Sequence, residues 1–364
     1  LDLYSGLPGI ALFLAHLDRL TGTPRHQETL QRIIQTMRGM LQPARTKVKA
    51  VGAFDGWGGI LYALVNLSVL MDEPALLDEA TSLLDVLPGL IADDTHLDIV
   101  SGAAGCIGGL LTLHHRAPTS RALVAAAACG ERLLAQVKFM EQGIGWLTPV
   151  SPDRALCGFA HGAAGIAWAL LELGAVTGDE RFRQAAQQAW VHERSLFSFE
   201  AGGWPDLRSA GTGASQGSAN GAPRALAAWC HGAAGIGMAR VRAMSLHEDV
   251  ALREEVAAAV TLTLRKGFGQ NHSLCHGDLG SLDLLLHADS VLGTEARLSD
   301  ETTRLARQVL DGIGQGDWRC ATPRSIETPG LMLGLAGIGY GLLRIAAPAR
   351  VPSVLLLEGS KPGA

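Results

Sequence analysis

The chain has 364 residues, 48% of them hydrophobic and only 18% charged, with a formal net charge of −5. That composition supports a large core, and without a basic run it argues against a nucleic-acid groove, where clustered Lys and Arg must displace phosphate counterions. The apolar segments are broken by Gly, Pro or charge well short of the ~20 residues of a membrane helix, and no signal peptide opens the chain, so no membrane insertion is expected.

Taken in chain order, one signature recurs: Gly-x-x-Gly followed by an apolar stretch. It stands at Gly6–Gly9, Gly56–Gly59, Gly102–Gly105, Gly162–Gly165, Gly232–Gly235, Gly277–Gly280 and Gly334–Gly337. A lone GxxG carries no information; seven, each opening an apolar segment, define a repeat. Between them, 26–42, 75–91, 119–137, 180–197, 248–267 and 299–313 show polar residues on one face and apolar residues at helical spacing, which predicts amphipathic helices. The segments after each GxxG are apolar nearly all round and predict buried helices. The one strand-like signal is VPSVLLL near the C-terminus. Leu1, which is not a Met, opens directly into a patterned helix, so the chain reads as a piece of a longer protein.

Alternation of buried and amphipathic helices predicts an all-α fold. An open solenoid needs polar capping repeats, yet the last repeat, LMLGLAGIGYGLLR, is as apolar as the middle ones. Closure into an α/α toroid is therefore expected, with a ring of inner helices wrapped by outer ones in a single domain over 1–364. Only six outer helices follow inner ones; the seventh is expected before Leu1 or replaced by a neighbouring segment. If each repeat runs inner then outer, the inner N-termini converge at one mouth, where free N–H groups and helix dipoles favour anions.

The two residues before each GxxG are Tyr4-Ser5, Phe54-Asp55, Val100-Ser101, Ala160-His161, Cys230-His231, Cys275-His276 and Met332-Leu333. Repeat symmetry thus brings Cys230 and Cys275 to neighbouring helix starts. The six cysteines are too sparse for a disulfide framework. Two thiols beside imidazoles point instead to a metal or reactive site in a reducing, cytoplasmic compartment. The ligand candidates are Cys230, His231, Cys275, His276 and His161. Two Cys and one His suit Zn²⁺ with an open fourth position, a composition that favours addition or alkylation at sulfur over hydrolysis. Taken alone, His161 reads as a satisfied histidine at a helix start. Asp98 alone reads as a helix cap, because Asp2 fills the same slot in LDLYSG. Cys106, Cys129 and Cys320 read as packing residues, and Cys157, near His161, is open to either reading.

FAHGAAGI, WCHGAAGI and LCHGDLG within seven GxxG repeats resemble the LanC-like lanthionine cyclases. GGWPDLR and the tail TPGLMLGLAGIGYGLLR…VPSVLLL look like the C-terminal cyclase domain of class II (LanM-type) lanthipeptide synthetases. The resemblance spans essentially the whole chain. It implies an α/α toroid with zinc held by Cys230, Cys275 and His276. It also implies a dehydrated precursor peptide as substrate, and a dehydratase domain ahead of this one in the same polypeptide. A peptide Cys would add to dehydroalanine or dehydrobutyrine to close a lanthionine or methyllanthionine ring. The family's acid/base roles fall on His161 and Asp98. Some members carry Arg four residues before the first zinc Cys; here that place is Leu226, and the nearest Arg is Arg224. His231 stands where other members often have Tyr, which favours His276 as the ligand.

Three alternatives compete. One is a LanC-like enzyme adding another thiol, such as glutathione, to dehydrated residues. Another is a non-catalytic, zinc-containing peptide-binding module. The third is a toroidal glycosidase or terpene cyclase, which needs paired carboxylates that only Asp98 and Asp55 offer.

Overall fold

A computed structural model describes residues 1–208, 224–247, 249–292 and 296–361. Its inner helices are α1 (Leu7–Thr21), α3 (Trp57–Leu70), α6 (Ala103–Arg116), α8 (Ala163–Thr177), α10 (Ala233–Met244), α12 (Asp278–Leu292) and α14 (Leu335–Ala346). Outside them lie α2 (Gln27–Lys47), the pair α4 (Ala75–Ser82) and α5 (Leu87–Ala92), α7 (Ser120–Ala135), α9 (Glu180–Ser195), α11 (Val250–Lys266) and α13 (Ala296–Gly314). Each inner helix packs on the next, and α14 packs on α1, closing the ring. The fold is an α/α toroid, as the repeat predicts.

Periodicity explains the two kinds of helix. In α2 the buried residues are Leu30, Ile33, Ile34, Met37 and Ala44, a single stripe turned inward. In α3, Trp57 to Val69 are all buried, because this helix has neighbours on every side. The expected outer helix 75–91 is broken by a 3₁₀ turn at Leu83–Val86. Pro88, lacking an N–H, cannot continue a helix and sits at the start of α5, where its missing donor costs least.

The GxxG motif is a demand for space. The segment before each inner helix turns back beneath the helix start. A Cβ on the second glycine would come within 1.7–2.6 Å of the carbonyl oxygen six residues earlier, in all seven repeats; for Gly105 and Gly165 the partners are the Ile99 and Phe159 carbonyls. These tucked segments bond one to the next. The amide of Tyr4 donates to the Phe54 carbonyl, Phe54 to Val100, Ile99 to Ala160, Ala160 to Cys230, Cys230 to Cys275, Cys275 to Met332, and Met332 back to Tyr4, at 2.9–3.3 Å. Seven repeats are thus linked into one closed circuit at the mouth.

Beneath the mouth, Trp229 packs edge-on against Phe54 and tilted against Phe159, at centroid distances of 5.1 and 5.6 Å. All three rings are buried, so they fill the centre of the ring beneath the mouth. The other end is filled by the C-terminal segment. VPSVLLL is not a strand: Val354–Leu356 forms one 3₁₀ turn, and Val354 to Leu357 are buried. Two inner helices and the segment leading into a third supply its hydrogen bonds. Tyr62 donates to the Glu358 carbonyl (2.8 Å), Thr112 to that of Leu357 (3.2 Å) and Trp229 to that of Leu355 (3.3 Å). Among the described residues no seventh outer helix follows α14, and this plug occupies the space below the ring instead. The strands described are two short ones, β1 (Lys138–Phe139) and β2 (Ile144–Gly145), which form a hairpin after α7 that periodicity does not reveal. No helix among the described residues is long and apolar enough to cross a membrane.

Candidate metal and acid–base site

Cys230 and Cys275 are members of the backbone circuit, so the inter-repeat bond from the Cys230 amide to the Cys275 carbonyl (3.3 Å) sets where their side chains start. His276 follows directly, its amide donating to Ser273 Oγ at 3.3 Å. The sulfurs of Cys230 and Cys275 and a ring nitrogen of His276 lie within 4.8 Å of one another. Cys275 is buried, Cys230 half-buried and His276 exposed, so the group is walled on one side and open on the other. The Cys275 thiol bonds to the Cys230 sulfur, which pushes the Cys230 pKa well down and that of Cys275 well up. Two sulfurs and an imidazole converging this closely, one already inclined to ionise, fit a borderline-soft divalent cation. Ligand atoms around such an ion stand roughly 3.5–4 Å apart.

Asp98 and His161 come from the next repeats around the mouth. Asp98 is 1% exposed. Its Oδ1 accepts from the Ser101 amide at 2.8 Å, and its Oδ2 lies 2.7 Å from His161 Nδ1. The same slot in the first repeat shows what is ordinary and what is added. Asp2 accepts from the Ser5 and Gly6 amides (2.7 and 3.2 Å) and stays a cap. Asp98 is a cap and also an imidazole partner. With Nδ1 held as donor to the carboxylate, Nε2 is the nitrogen left for proton transfer. His231 stacks on His161, with centroids 5.3 Å apart and planes at 22°. Burial lowers the His231 pKa to about 4, so this ring is neutral near pH 7.

Cys157, which the sequence left open, is buried, and burial pushes its pKa well up, as befits a packing residue. Cys106, Cys129 and Cys320 are buried too. Arg224 lines the cleft beside the site, whereas Asp55 is exposed and has no imidazole partner among the described residues.

Two neighbours escaped the sequence reading. Tyr4 donates its hydroxyl to Cys275 Sγ at 3.4 Å. Burial first, and the nearby thiols second, raise its pKa well above the usual range, so it stays a donor. Its signal was its slot, which is the one Cys230 and Cys275 fill in their own repeats. Arg208 is locked to Asp206 through Nε (2.9 Å) and Nη2 (2.8 Å). That ion pair first, and the thiols of Cys230 and Cys275 after it, hold the guanidinium charged beside the site. Nothing in the repeat pattern marks Arg208, because it lies in the connection between α9 and α10.

The fold and the site can be set beside known proteins. A solved nisin cyclase superposes over 98% of this chain and 92% of its own, with a TM-score of 0.77 at 17% identity. An alpha-1,6-mannanase from Salegentibacter sp. covers 83% of this chain and 89% of its own at 13% identity, with a TM-score of 0.52; it shares the fold alone. In sequence, the Lacticin 481/lactococcin biosynthesis protein of Lactococcus lactis subsp. lactis is 29% identical over 203 residues, which is 52% of this chain and 20% of that protein. This chain therefore spans only a part of that relative. The family model described as Lanthionine synthetase C-like protein matches residues 1–356, nearly the full length of the toroid and every residue of the site. The chain belongs to the lanthionine synthetase C-like family.

Proposed function

We propose that this chain is a zinc-dependent lanthionine cyclase, acting on a precursor peptide whose Ser and Thr have been dehydrated. The observation that carries this reading is one mouth holding both a Cys230–Cys275–His276 donor set and an Asp98–His161 pair. Zinc, when bound by Cys230, Cys275 and His276, lowers the pKa of a substrate thiol while leaving its sulfur nucleophilic. A Cys sulfur of the peptide bonds to the β-carbon of dehydroalanine or dehydrobutyrine, and the alkene electron pair moves to the α-carbon. His161 delivers a proton there from Nε2, and Asp98 supports the change of charge at Nδ1. The thiol proton replaces the one delivered, so the sum is addition of S–H across the double bond. The helix starts gathered at the mouth favour the transient negative charge. In the same reading, the chain is one cyclase unit of a longer, cytoplasmic synthetase in which a dehydratase domain precedes it.

The test is incubation with a dehydrated, Cys-containing peptide, followed by thiol alkylation and mass spectrometry. Wild type should protect the peptide thiols, and Cys275→Ala should lose both bound metal and protection. Equal protection by both proteins would refute the reading.

A further inference from the structure

The donor set opens into a cleft of ≈ 930 Å³ lined by Cys230 and His276. The charged residues of its described wall are Arg208, Arg224, Arg265 and Lys266 against the single carboxylate of Glu200. This is a local excess of positive charge on a chain whose net charge is −5. Arg208 is paired with Asp206, but the other three cations have no carboxylate partner among the described residues. Arg265 and Lys266 donate to the neutral carbonyls of Ala201 (2.9 Å) and Ala225 (3.3 Å). Both end α11, where the helix dipole welcomes cations; the dipole does not explain why Arg208 and Arg224 converge on the same cleft from another connection. On the rim, the turn that contributes Ser198, Glu200 and Ala201 carries Phe199 at 92% exposure.

We infer that this cleft binds an acidic segment of the peptide substrate and so selects which peptides present a thiol to the site. The inference rests on the proposed peptide substrate and adds to it a chemical class: carboxylate side chains near the reacting Cys, with one apolar residue against Phe199. Guanidinium groups take carboxylates in paired hydrogen bonds, and unpaired cations around a concave wall steer anions inward.

The test uses the zinc-loaded chain and fluorescein-labelled peptides that cannot react, because Ser replaces Cys and no residue is dehydrated. Two peptides differ only in four Glu against four Gln beside the Ser. Anisotropy should show the Glu peptide binding about ten-fold tighter at low ionic strength, with the gap shrinking at about 0.3 M salt. The double variant Arg265→Gln/Lys266→Gln changes two exposed side chains, and its fold is checked by circular dichroism; it should lose most of the preference. Equal affinity for the two peptides, a preference unchanged in the double variant, or an oligonucleotide of equal charge binding as tightly would each overturn the inference. Binding here needs no turnover. Failure of ring closure in the preceding assay would sink the reaction and leave this measurement standing.

Discussion

At the scale of single residues, the site depends on hydrogen bonds that the side chains give one another. Asp98→Asn keeps an oxygen for the Ser101 amide but loses the anionic partner of His161. Turnover of a dehydrated peptide should fall by about 10²-fold or more, with stability changed by no more than about 1 kcal/mol. A rate within three-fold of wild type (about 0.6 kcal/mol in the barrier) would reduce Asp98 to the cap that Asp2 is. Tyr4→Phe removes the bond to Cys275 Sγ without opening a cavity. Zinc affinity, measured by competition with a chromophoric chelator, should drop about ten-fold, and unchanged affinity would show that the bond is incidental. Repeat symmetry alone brings Cys230 and Cys275–His276 to neighbouring helix starts, whereas the roles expected of His161 and Asp98, and the preference for His276 over His231, come from the family resemblance. Tyr4 was hidden because a Tyr in that slot looks like core packing. Arg208 was hidden because it belongs to the connection between α9 and α10, outside the slots that the GxxG motif marks.

At the scale of elements, the glycines separate into those that hold the architecture and those that do not. A Cβ on Gly165 would stand 2.0 Å from the Phe159 carbonyl oxygen, whereas one on Gly39, inside α2, meets nothing within 4 Å. Gly165→Ala should therefore cost about 3 kcal/mol or more, because backbone must move. Gly39→Ala should add about 0.5–1 kcal/mol through helix propensity. Urea midpoints of the two variants test the contrast, and shifts of the same sign would contradict it. Periodicity located the helices, but it could not place the break at Leu83–Val86, where Pro88 decides. It misread VPSVLLL because a short run rich in Val and Leu looks the same as a buried strand and as a plug whose hydrogen bonds come from surrounding helices.

At the scale of the whole molecule, the plug is tied in by charge. Arg344 donates to Asp283 and to the Val351 carbonyl, and Ser353 Oγ donates to Asp283 Oδ2 at 2.5 Å. His287 lies between Asp283 and Glu358. Burial alone would lower its pKa, but the charge and hydrogen bond of Asp283 raise it to about 10. A raised imidazole stabilises the fold fully below its ordinary pKa near 6.5 and loses that contribution as pH climbs to 10. The Tm gap between wild type and His287→Gln should be roughly 3 °C or more at pH 6.5 and shrink steadily toward pH 10. A gap that widens would refute the assignment. The closed circuit at the mouth bears on how the protein is made. The amide of Cys275 bonds to Met332, and Met332 bonds back to Tyr4, so a site residue from the sixth repeat rests on the seventh, and the seventh rests on the first. A ribosome has made most of this chain before the ring can shut. Until Met332 clears the exit tunnel, Cys275 lacks the backbone bond that holds it in the circuit, and a nascent chain stalled ahead of that point should carry Cys230, Cys275 and His276 without the closed ring around them.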